Sequence, residues 1–497
     1  MELCKEYKSI SFNEACQTVK ESFELDFQEN LPQYLDDIEK IVKCSVKATV
    51  TDYDYQGNSI NLYGKVIISI TYKSSESGLL SNIFEEDFSK SFDVDNVENF
   101  SFAKVCINTK YSNFHLINQR RFDIHTSLAV RFNIYYQKST DCLSNCKNAM
   151  FKEYSQDYLV CKNSGISSVE FEENMSIADS TAQIKNIINC FTNCSVDEYK
   201  IIKDKMLVKG TLSASVIYEC INGNIEKLSH NFTYSKIIEA SSLDENDKAF
   251  VSARLSGLYV KARADENNAL SIVEIVGKLV INYQIYKIDT ISLNIDSYVP
   301  KYNCKLKKSN TIINESPAYF YDDKTLELNF DSDISLVEII DLKAEILNHQ
   351  IINSKLTVEV GISFLFYDDK GNICYYEKSQ TKEILLSDSE FSGVSGCTMK
   401  SFDYVIKSAG ALMLRANIEY SAYLYKESKV SFLTDIDIDD EVNNINTPQL
   451  TLYFANSQEE IWDIAKKFST SEELIIDENS LNSNVIDGKR ILLIPGM

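Results

Sequence analysis

The chain has 497 residues, of which 44% are hydrophobic and 25% are charged, and its formal net charge is −23. This is an ordinary globular balance, and the length suffices for roughly three or four domains of about 100–150 residues each. So acidic a chain repels phosphate backbones and anionic lipid headgroups, which argues against nucleic acid or a bare membrane surface as a partner.

The first residues indicate where the protein is found. They are polar and include Glu2, Glu6 and Glu14, so they lack the basic start and apolar middle of a signal peptide. No run approaches the roughly 18 apolar residues that cross a bilayer. We therefore expect a cytoplasmic protein without a transmembrane segment. The 13 cysteines are expected to be small buried thiols rather than disulfides, as in a reducing compartment.

Internal repetition is the strongest pattern in the chain. The first half of a unit recurs at 38–72, at 184–218 and, with a one-residue gap, at 336–367. Identical residues in the first two copies include Gly64 and Gly210. The second half recurs at 128–136, 279–287 and 416–425. A period of roughly 150 residues is too long for a solenoid repeat, so it predicts three tandem domains.

The pattern within each unit indicates a sheet sandwich. Alternation with period 2 and abundant Val, Ile, Tyr and Phe favour strands. In the second unit a short strand at 169–175 precedes a predicted helix at 177–188, with Asp179 or Ser180 as its cap. We therefore expect a mainly β fold with minor α content. Turn signals suited to hairpins stand at Gly57, Gly223 and Gly371.

Domain boundaries follow from the repeats. Polar stretches at 138–157 and 289–316 are predicted to be linkers. The segment 435–448 is acidic, then rich in Asn, and ends in Pro448, which is typical of a solvated spacer. The predicted domains are three β-sandwich-like repeats at 1–140 (with an N-terminal extension), 155–290 and 316–432, and a last domain at 449–497.

The last domain has a different pattern, β-α-α-β. Strands are predicted at 450–454 and 490–494, with helices at 458–468 and 471–478 between them. An apolar stripe at i, i+3, i+4 and i+7 marks the first helix. This block resembles a LysM domain. The residues that carry the resemblance are Tyr453, the run 461–468, Asn479, Gly488, Ile494 and Pro495.

One departure from the LysM pattern concerns ligand choice. LysM domains that bind chitin or peptidoglycan usually carry Ser-Gly-Asp-Thr or Ser-Gly-Asp-Ser where this chain has Ser457, Gln458, Glu459 and Glu460. Glycine lets a backbone approach a sugar closely because it has no side chain. The bulkier residues obstruct that approach, so we expect a protein ligand, and glycan binding is in doubt.

The whole arrangement is similar to the SPOCS–LysM family of spore-coat morphogenetic proteins in endospore-forming Firmicutes. The resemblance implies three SPOCS repeats and a non-enzymatic scaffold or adaptor in the mother cell, at the forespore surface and spore coat. It also implies a partner, the coat-basement ATPase SpoIVA, bound through the LysM block. The alternative is a cell-wall protein that binds peptidoglycan or chitin, which the lack of an export signal disfavours.

The predicted partner site is a shallow groove between two loops of the LysM-like block. Trp462 follows Ile461 near the edge of the apolar helix face, so it is either a core residue or an interface anchor that offers its rim outward. The predicted partner-binding residues are Asn456, Ser457, Gln458, Glu459, Ile461, Trp462, Leu481, Asn482, Val485 and Ile486.

Catalytic and metal chemistry receive little support from the residue pattern. Four histidines are few for a chain of this length. The pairs Cys142/Cys146 and Cys190/Cys194 lack the closer spacing usual in zinc sites. A glycosidase-like carboxylate pair is compatible with so acidic a chain, but a general acidic surface is the simpler interpretation. We therefore expect no enzyme activity, cofactor or metal.

Overall fold

The computed structural model describes residues 4–74, 76, 78–96, 98–177, 183–330, 336–407, 411–441 and 449–496. Within these ranges the chain forms three six-stranded β units and a small C-terminal module that contains both described helices. None of the helices in these ranges is long and apolar enough to cross a membrane.

The first unit is a sandwich of two three-stranded antiparallel sheets, ordered β2-β3-β4 and β1-β6-β5. Its strands are β1 Lys5–Asn30, β2 Ile38–Gln56, β3 Ser59–Ser74, β4 Leu79–Asp93, β5 Phe100–Asn118 and β6 Arg121–Cys146. Alternate side chains of both sheets point inward and form one core, in which Ile68, Tyr72, Phe122 and Phe132 are fully buried.

The second and third units repeat this topology. The second consists of β7 Met150–Ser176, β8 Ile184–Ile202, β9 Lys205–Cys220, β10 Ile225–Glu239, β11 Lys248–Ala264 and β12 Leu270–Tyr298. The third consists of β13 Tyr302–Phe330, β14 Leu336–Ile352, β15 Lys355–Asp368, β16 Ile373–Leu385, β17 Ser392–Ile406 and β18 Leu412–Glu441. In each unit the first strand pairs with the last, and the second, third and fourth strands form a separate sheet. A bridge between β7 and β13 joins the remaining strands of the second and third units into one six-stranded sheet. The expected mainly β fold is confirmed.

Glycines explain two features of the repeat. The predicted hairpin turns are confirmed, because Gly57, Gly223 and Gly371 have φ values of 63°, 86° and 76°. Gly64 and Gly210 occupy the same position in the first two repeats, and glycine is needed there for a different reason. A Cβ on Gly64 would lie 2.3 Å from the Phe88 ring, and one on Gly210 would lie 2.2 Å from a backbone carbonyl. Close approach of a neighbouring strand therefore requires glycine at both positions.

The first and last strands of each unit continue beyond its sandwich as a two-stranded arm. The arms comprise residues 5–13 with 137–146, 150–161 with 286–298, and 302–315 with 426–441. Their apolar side chains pack against one another in two clusters, one around Cys142, Ile291, Ile313 and Phe432 and the other around Leu143, Val299 and Leu433. The three units are thus joined by a shared core that none of them forms alone.

The arms overturn the predicted linkers. Residues 138–146, 150–157, 289–298, 302–316 and 435–441 are strand, and residues 442–448 lie outside the described residues. In these strands polar residues alternate with apolar ones, of which Cys142, Ile291 and Ile436 pack in the arm clusters. The average composition is therefore that of a loop, although the residues are paired in strands. An acidic spacer is therefore wrong for 435–441.

The predicted helix of the second unit is also wrong for the residues that the structure describes. Residues 184–188 begin β8, whereas 178–182, including both proposed caps, lie outside the described residues. The short strand predicted at 169–175 is the end of the much longer β7. Spacing of apolar residues in so short a run does not distinguish a helix from a strand packed on both faces.

The C-terminal module confirms the predicted β-α-α-β order. It consists of β19 Leu450–Ala455, α1 Ile461–Phe468, α2 Glu472–Asn479 and β20 Arg490–Pro495. Helix α1 begins three residues later than predicted, because Gln458 is left-handed, with φ 70°, and Glu460 is extended.

Candidate functional site

The C-terminal module is held together by a small apolar core and one amide side chain. Strands β19 and β20 pair antiparallel, and Ile461, Ile464 and Ile475 from the helices pack on the inner face of that sheet. The Asn479 side chain donates to the carbonyl of Leu493 at 2.7 Å and accepts from the amide of the same residue at 2.7 Å. It therefore fastens the end of α2 to β20.

The two loops predicted to form the partner site lie side by side. The amide of Gln458 donates to the Ile486 carbonyl, that of Ile486 donates to the Glu459 carbonyl, and that of Ile461 donates to the Asn484 carbonyl, each at 2.9 Å. The expected proximity is present. The loops are joined by backbone hydrogen bonds, however, and are not separated by an open groove.

The Glu459 carboxylate has a structural role in this loop pair. It accepts hydrogen bonds from the backbone amide of Asn456 at 3.1 Å and from the Tyr453 hydroxyl at 3.3 Å. Hydrogen bonds from Asn456 lower the pKa of Glu459, so the carboxylate stays ionised where it closes the loop.

The ten predicted site residues fall into three groups by exposure. The exposed and half-buried members lie together on the loop pair, whereas the buried ones belong to the module's interior. Exposed are Asn456, Ser457, Gln458, Asn482 and Val485, half-buried are Glu459 and Leu481, and buried are Ile461, Trp462 and Ile486.

Trp462 docks the module onto the second unit. Its Nε1 donates to Oδ2 of Asp296, in strand β12, at 2.9 Å, and its ring meets the Tyr298 ring edge to face at 5.0 Å. Only 3% of the residue is exposed. An outward-facing anchor is therefore wrong for this arrangement, because the edge of the helix face is covered by an arm of the same chain.

Further polar contacts complete this docking contact. Lys466 Nζ lies 2.7 Å from Asp296 Oδ2, the Tyr298 hydroxyl donates to the Thr470 carbonyl at 2.5 Å, and Lys152 pairs with Glu460. Burial alone would raise the pKa of Asp296, but the hydrogen bonds from Lys466 and Trp462 outweigh burial and lower it. The carboxylate is thus kept charged between the arm and helix α1.

The outer face of the module's sheet is apolar and open. Leu450, Leu452, Phe454 and Ile491 are 49%, 64%, 73% and 55% exposed. Phe454 pairs across the ladder with Ile491, so these side chains share one face, which we call the outer sheet face. The sequence-based site omitted it, although the alternation of Leu450, Leu452 and Phe454 with Thr451 and Tyr453 was the available signal.

Possible metal ligands and cysteine thiols are the remaining groups with chemical reactivity. Among the described residues, no group of three or more His, Cys, Asp or Glu side chains could hold a metal ion. The twelve cysteines whose side chains the structure describes are free thiols. Burial raises the pKa of both Cys190 and Cys194 to about 12, so these thiols stay protonated and poorly nucleophilic at neutral pH.

Comparison with known proteins gives one match. No curated protein sequence and no solved structure matches the chain. A family model described as SipL, SPOCS domain, matches residues 37–117 and 183–263, which correspond to β2–β5 of the first unit and β8–β11 of the second. The chain therefore carries two copies of the SPOCS domain of the SipL family, a domain tied to sporulation.

Proposed function

We propose that this chain is a non-enzymatic scaffold of spore-coat assembly. The two SPOCS domains are the observation that supports this proposal most directly. In this proposal the protein works in the mother-cell cytoplasm, at the forespore surface. It binds the coat-basement ATPase SpoIVA through its C-terminal module, taken as a LysM-type domain, and so helps to localise the coat.

The position of the module supports a docking role. Trp462 and Lys466 hold one side of it on Asp296 of the second unit's arm. The loop pair and the outer sheet face remain exposed in that arrangement. A module fixed at a defined angle presents a surface whose orientation does not have to be ordered on binding, which lowers the entropic cost of association.

The outer sheet face is the part of the module best suited to a protein surface. Contiguous exposed apolar side chains commonly mark protein interaction sites. Phe454 is 73% exposed, and the next loop residues along the chain, Asn456 and Ser457, are exposed and polar. In this proposal SpoIVA contacts an apolar centre around Phe454 and Leu452 and a polar rim formed by the loop pair. Binding hot spots are usually surrounded by such a rim.

Substitution of the outer sheet face tests the proposal. Phe454→Ser in the full chain should weaken binding to purified SpoIVA by about tenfold or more, or about 1.4 kcal/mol, as loss of an interface anchor does. The measurement is biolayer interferometry with SpoIVA immobilised. Circular dichroism should show native folding, because a largely exposed side chain leaves no cavity when shortened.

The matched control is Ile237→Ser, which removes a side chain that is 59% exposed in β10 of the second unit. It should bind SpoIVA as the native chain does. Equal binding by the Phe454→Ser variant would contradict the assigned surface, and no binding by the native chain would contradict the partner. Retention of the native chain on insoluble peptidoglycan would instead support the glycan-binding alternative.

A further inference from the structure

Four basic side chains converge where the three units meet. They are Lys104 in β5 and Arg131 in β6 of the first unit, Arg254 in β11 of the second unit, and His349 in β14 of the third. We call this group the basic cleft. Arg254 shows the convergence most clearly, because it donates to the carbonyl of Ile107 in the first unit at 3.3 Å and to that of Leu347 in the third at 3.4 Å.

Within the part of the chain that the structure describes, no carboxylate pairs with the three cations of the basic cleft, Lys104, Arg131 and Arg254. Burial lowers the pKa of His349 to about 4, and the charges of Lys104, Arg254 and Arg131 act in the same direction. The imidazole is therefore neutral beside three cations, and it keeps one N–H as a donor.

Other cations between the units are satisfied, which sets the basic cleft apart. Lys343 Nζ lies 3.0 Å from a carboxylate oxygen of Glu345, and Lys47 pairs with the same carboxylate. Lys43 lies over the rings of Phe191 and Tyr375, 4.9 and 5.2 Å from their centroids. The fold thus supplies a carboxylate or aromatic rings to these lysines. In the described ranges it supplies carbonyl oxygens to Arg254 but no carboxylate to any of the three cleft cations.

The basic cleft is also accessible and rich in donors. Arg254 is exposed, so an ion in solution can reach its guanidinium, and the residues Lys104, Arg131 and His349 are half-buried. The Ser395 hydroxyl lies 3.0 Å from Nδ1 of His349. A guanidinium offers paired N–H donors that match two oxygens of one oxyanion, and a lysine adds a point charge.

We propose that the basic cleft binds a small oxyanion of the phosphate class and that the bound ion links the three units. A free anion is otherwise repelled by a chain of net charge −23, so binding requires a local concentration of cations such as this one. The expected ligands are inorganic phosphate or a phosphate group of a small metabolite. This inference is independent of the proposed scaffold function, because it concerns a surface distant in sequence from the C-terminal module.

Thermal unfolding and calorimetry of the full chain test the proposal. At constant ionic strength, sodium phosphate should raise the Tm by several degrees relative to sodium chloride, and titration with phosphate should be saturable. Parallel titrations with sulfate and pyrophosphate show whether binding depends on charge alone or on the phosphate group. A titration with ATP shows whether a nucleotide binds. Absence of a saturable phosphate effect on the native chain would overturn the proposal.

Variants locate the effect. Arg131→Glu supplies the missing carboxylate, so it should abolish phosphate binding while the variant in chloride is at least as stable as the native chain. Lys104→Gln should weaken phosphate binding at least tenfold. The matched control, Arg415→Gln, alters a surface arginine paired with Glu327 and should leave the phosphate effect unchanged. A phosphate effect of equal size in all three variants would show that the ion binds elsewhere.

Discussion

Lys43 lies at the contact between the first unit and its two neighbours. It is 6% exposed, and its Nζ lies 3.4 Å from the side-chain oxygen of Asn189 in the second unit. Asn189 and Asp341 occupy the same strand position in the other units, and both are buried. Burial lowers the pKa of Lys43 to about 8. Two aromatic rings and the Asn189 amide oxygen offset part of the free-energy cost of removing this cation from water.

We expect Lys43→Met to stabilise the chain most below pH 8. Between pH 8 and 10.5 the unfolded lysine holds a proton that the folded lysine has lost, so this group makes the free energy of unfolding rise with pH. Below pH 8 the burial of the charge costs on the order of 3 kcal/mol, which methionine avoids. Urea unfolding at pH 7 and at pH 10 measures the difference.

The advantage of Lys43→Met should shrink as the pH rises toward 10.5. Lys20→Met is the control, because Lys20 is exposed on β1 and its replacement should change stability little at either pH. A Lys43→Met chain that is less stable than the native chain at pH 7 would show that the contacts with the rings outweigh desolvation.

At the residue scale, sequence reasoning predicts faces but not what covers them. In β2 and β8 the polar Lys43 and Asn189 lie on the side away from the unit's own core, where they meet each other. A neighbouring unit, rather than solvent, covers that side. The same limit explains Trp462: it was predicted to lie at the edge of an amphipathic helix face, but the arm that covers it comes from residues far away in the chain.

At the element scale, local sequence patterns predicted the turns correctly but predicted linkers where the structure has long strands. Glycine turns and the β-α-α-β order depend on neighbouring residues, so they could be predicted. The arms are the ends of strands of 26 to 30 residues, and these ends are covered only when three units assemble. No local pattern distinguishes such a ribbon from a polar linker, because its apolar side chains find partners in other units.

Docking of the C-terminal module depends on one carboxylate in β12. Asp296→Ala removes the acceptor of both Trp462 and Lys466, so the docking contact should lose about 1.5–3 kcal/mol, as charged hydrogen bonds do. Hydrogen exchange followed by mass spectrometry should then show faster exchange in α1, with the unit cores unchanged. The control is Asp289→Ala in the same strand, and equal protection of α1 in both variants would contradict this role.

At the scale of the whole molecule, the repeat in the sequence anticipates the number of units but not their assembly. Units joined by long linkers would be independent domains, whereas the observed units share the arm clusters and the contact around Lys43. Inter-unit geometry depends on strand twist and on side chains that differ between copies. The SPOCS matches cover corresponding strands of two units, and the third has the same strand order.

An aromatic layer at the base of the arms couples the three units. Tyr135, Tyr286 and Tyr423 come from the last strand of each unit. Tyr286 and Tyr423 belong to one buried cluster, and the half-buried Tyr135 packs against it. The Tyr286 ring lies 5.3 Å from that of Phe250 and 6.2 Å from that of Tyr423 in the third unit. Since Tyr286 is 3% exposed, its contacts to another unit are made in the interior.

We expect Tyr286→Ala to uncouple the units as well as to destabilise them. Truncation of a buried aromatic residue costs about 3–5 kcal/mol through lost contacts and the cavity that remains. Because the cavity opens between units, differential scanning calorimetry should show a broadened or divided transition at lower temperature, whereas a cavity inside one sandwich would lower only that unit's transition. Tyr259→Ala, at a position 54% exposed in the same unit, should leave the transition unchanged. A Tyr286→Ala chain that unfolds with the native profile would mean that the arms, and not this layer, hold the three units together.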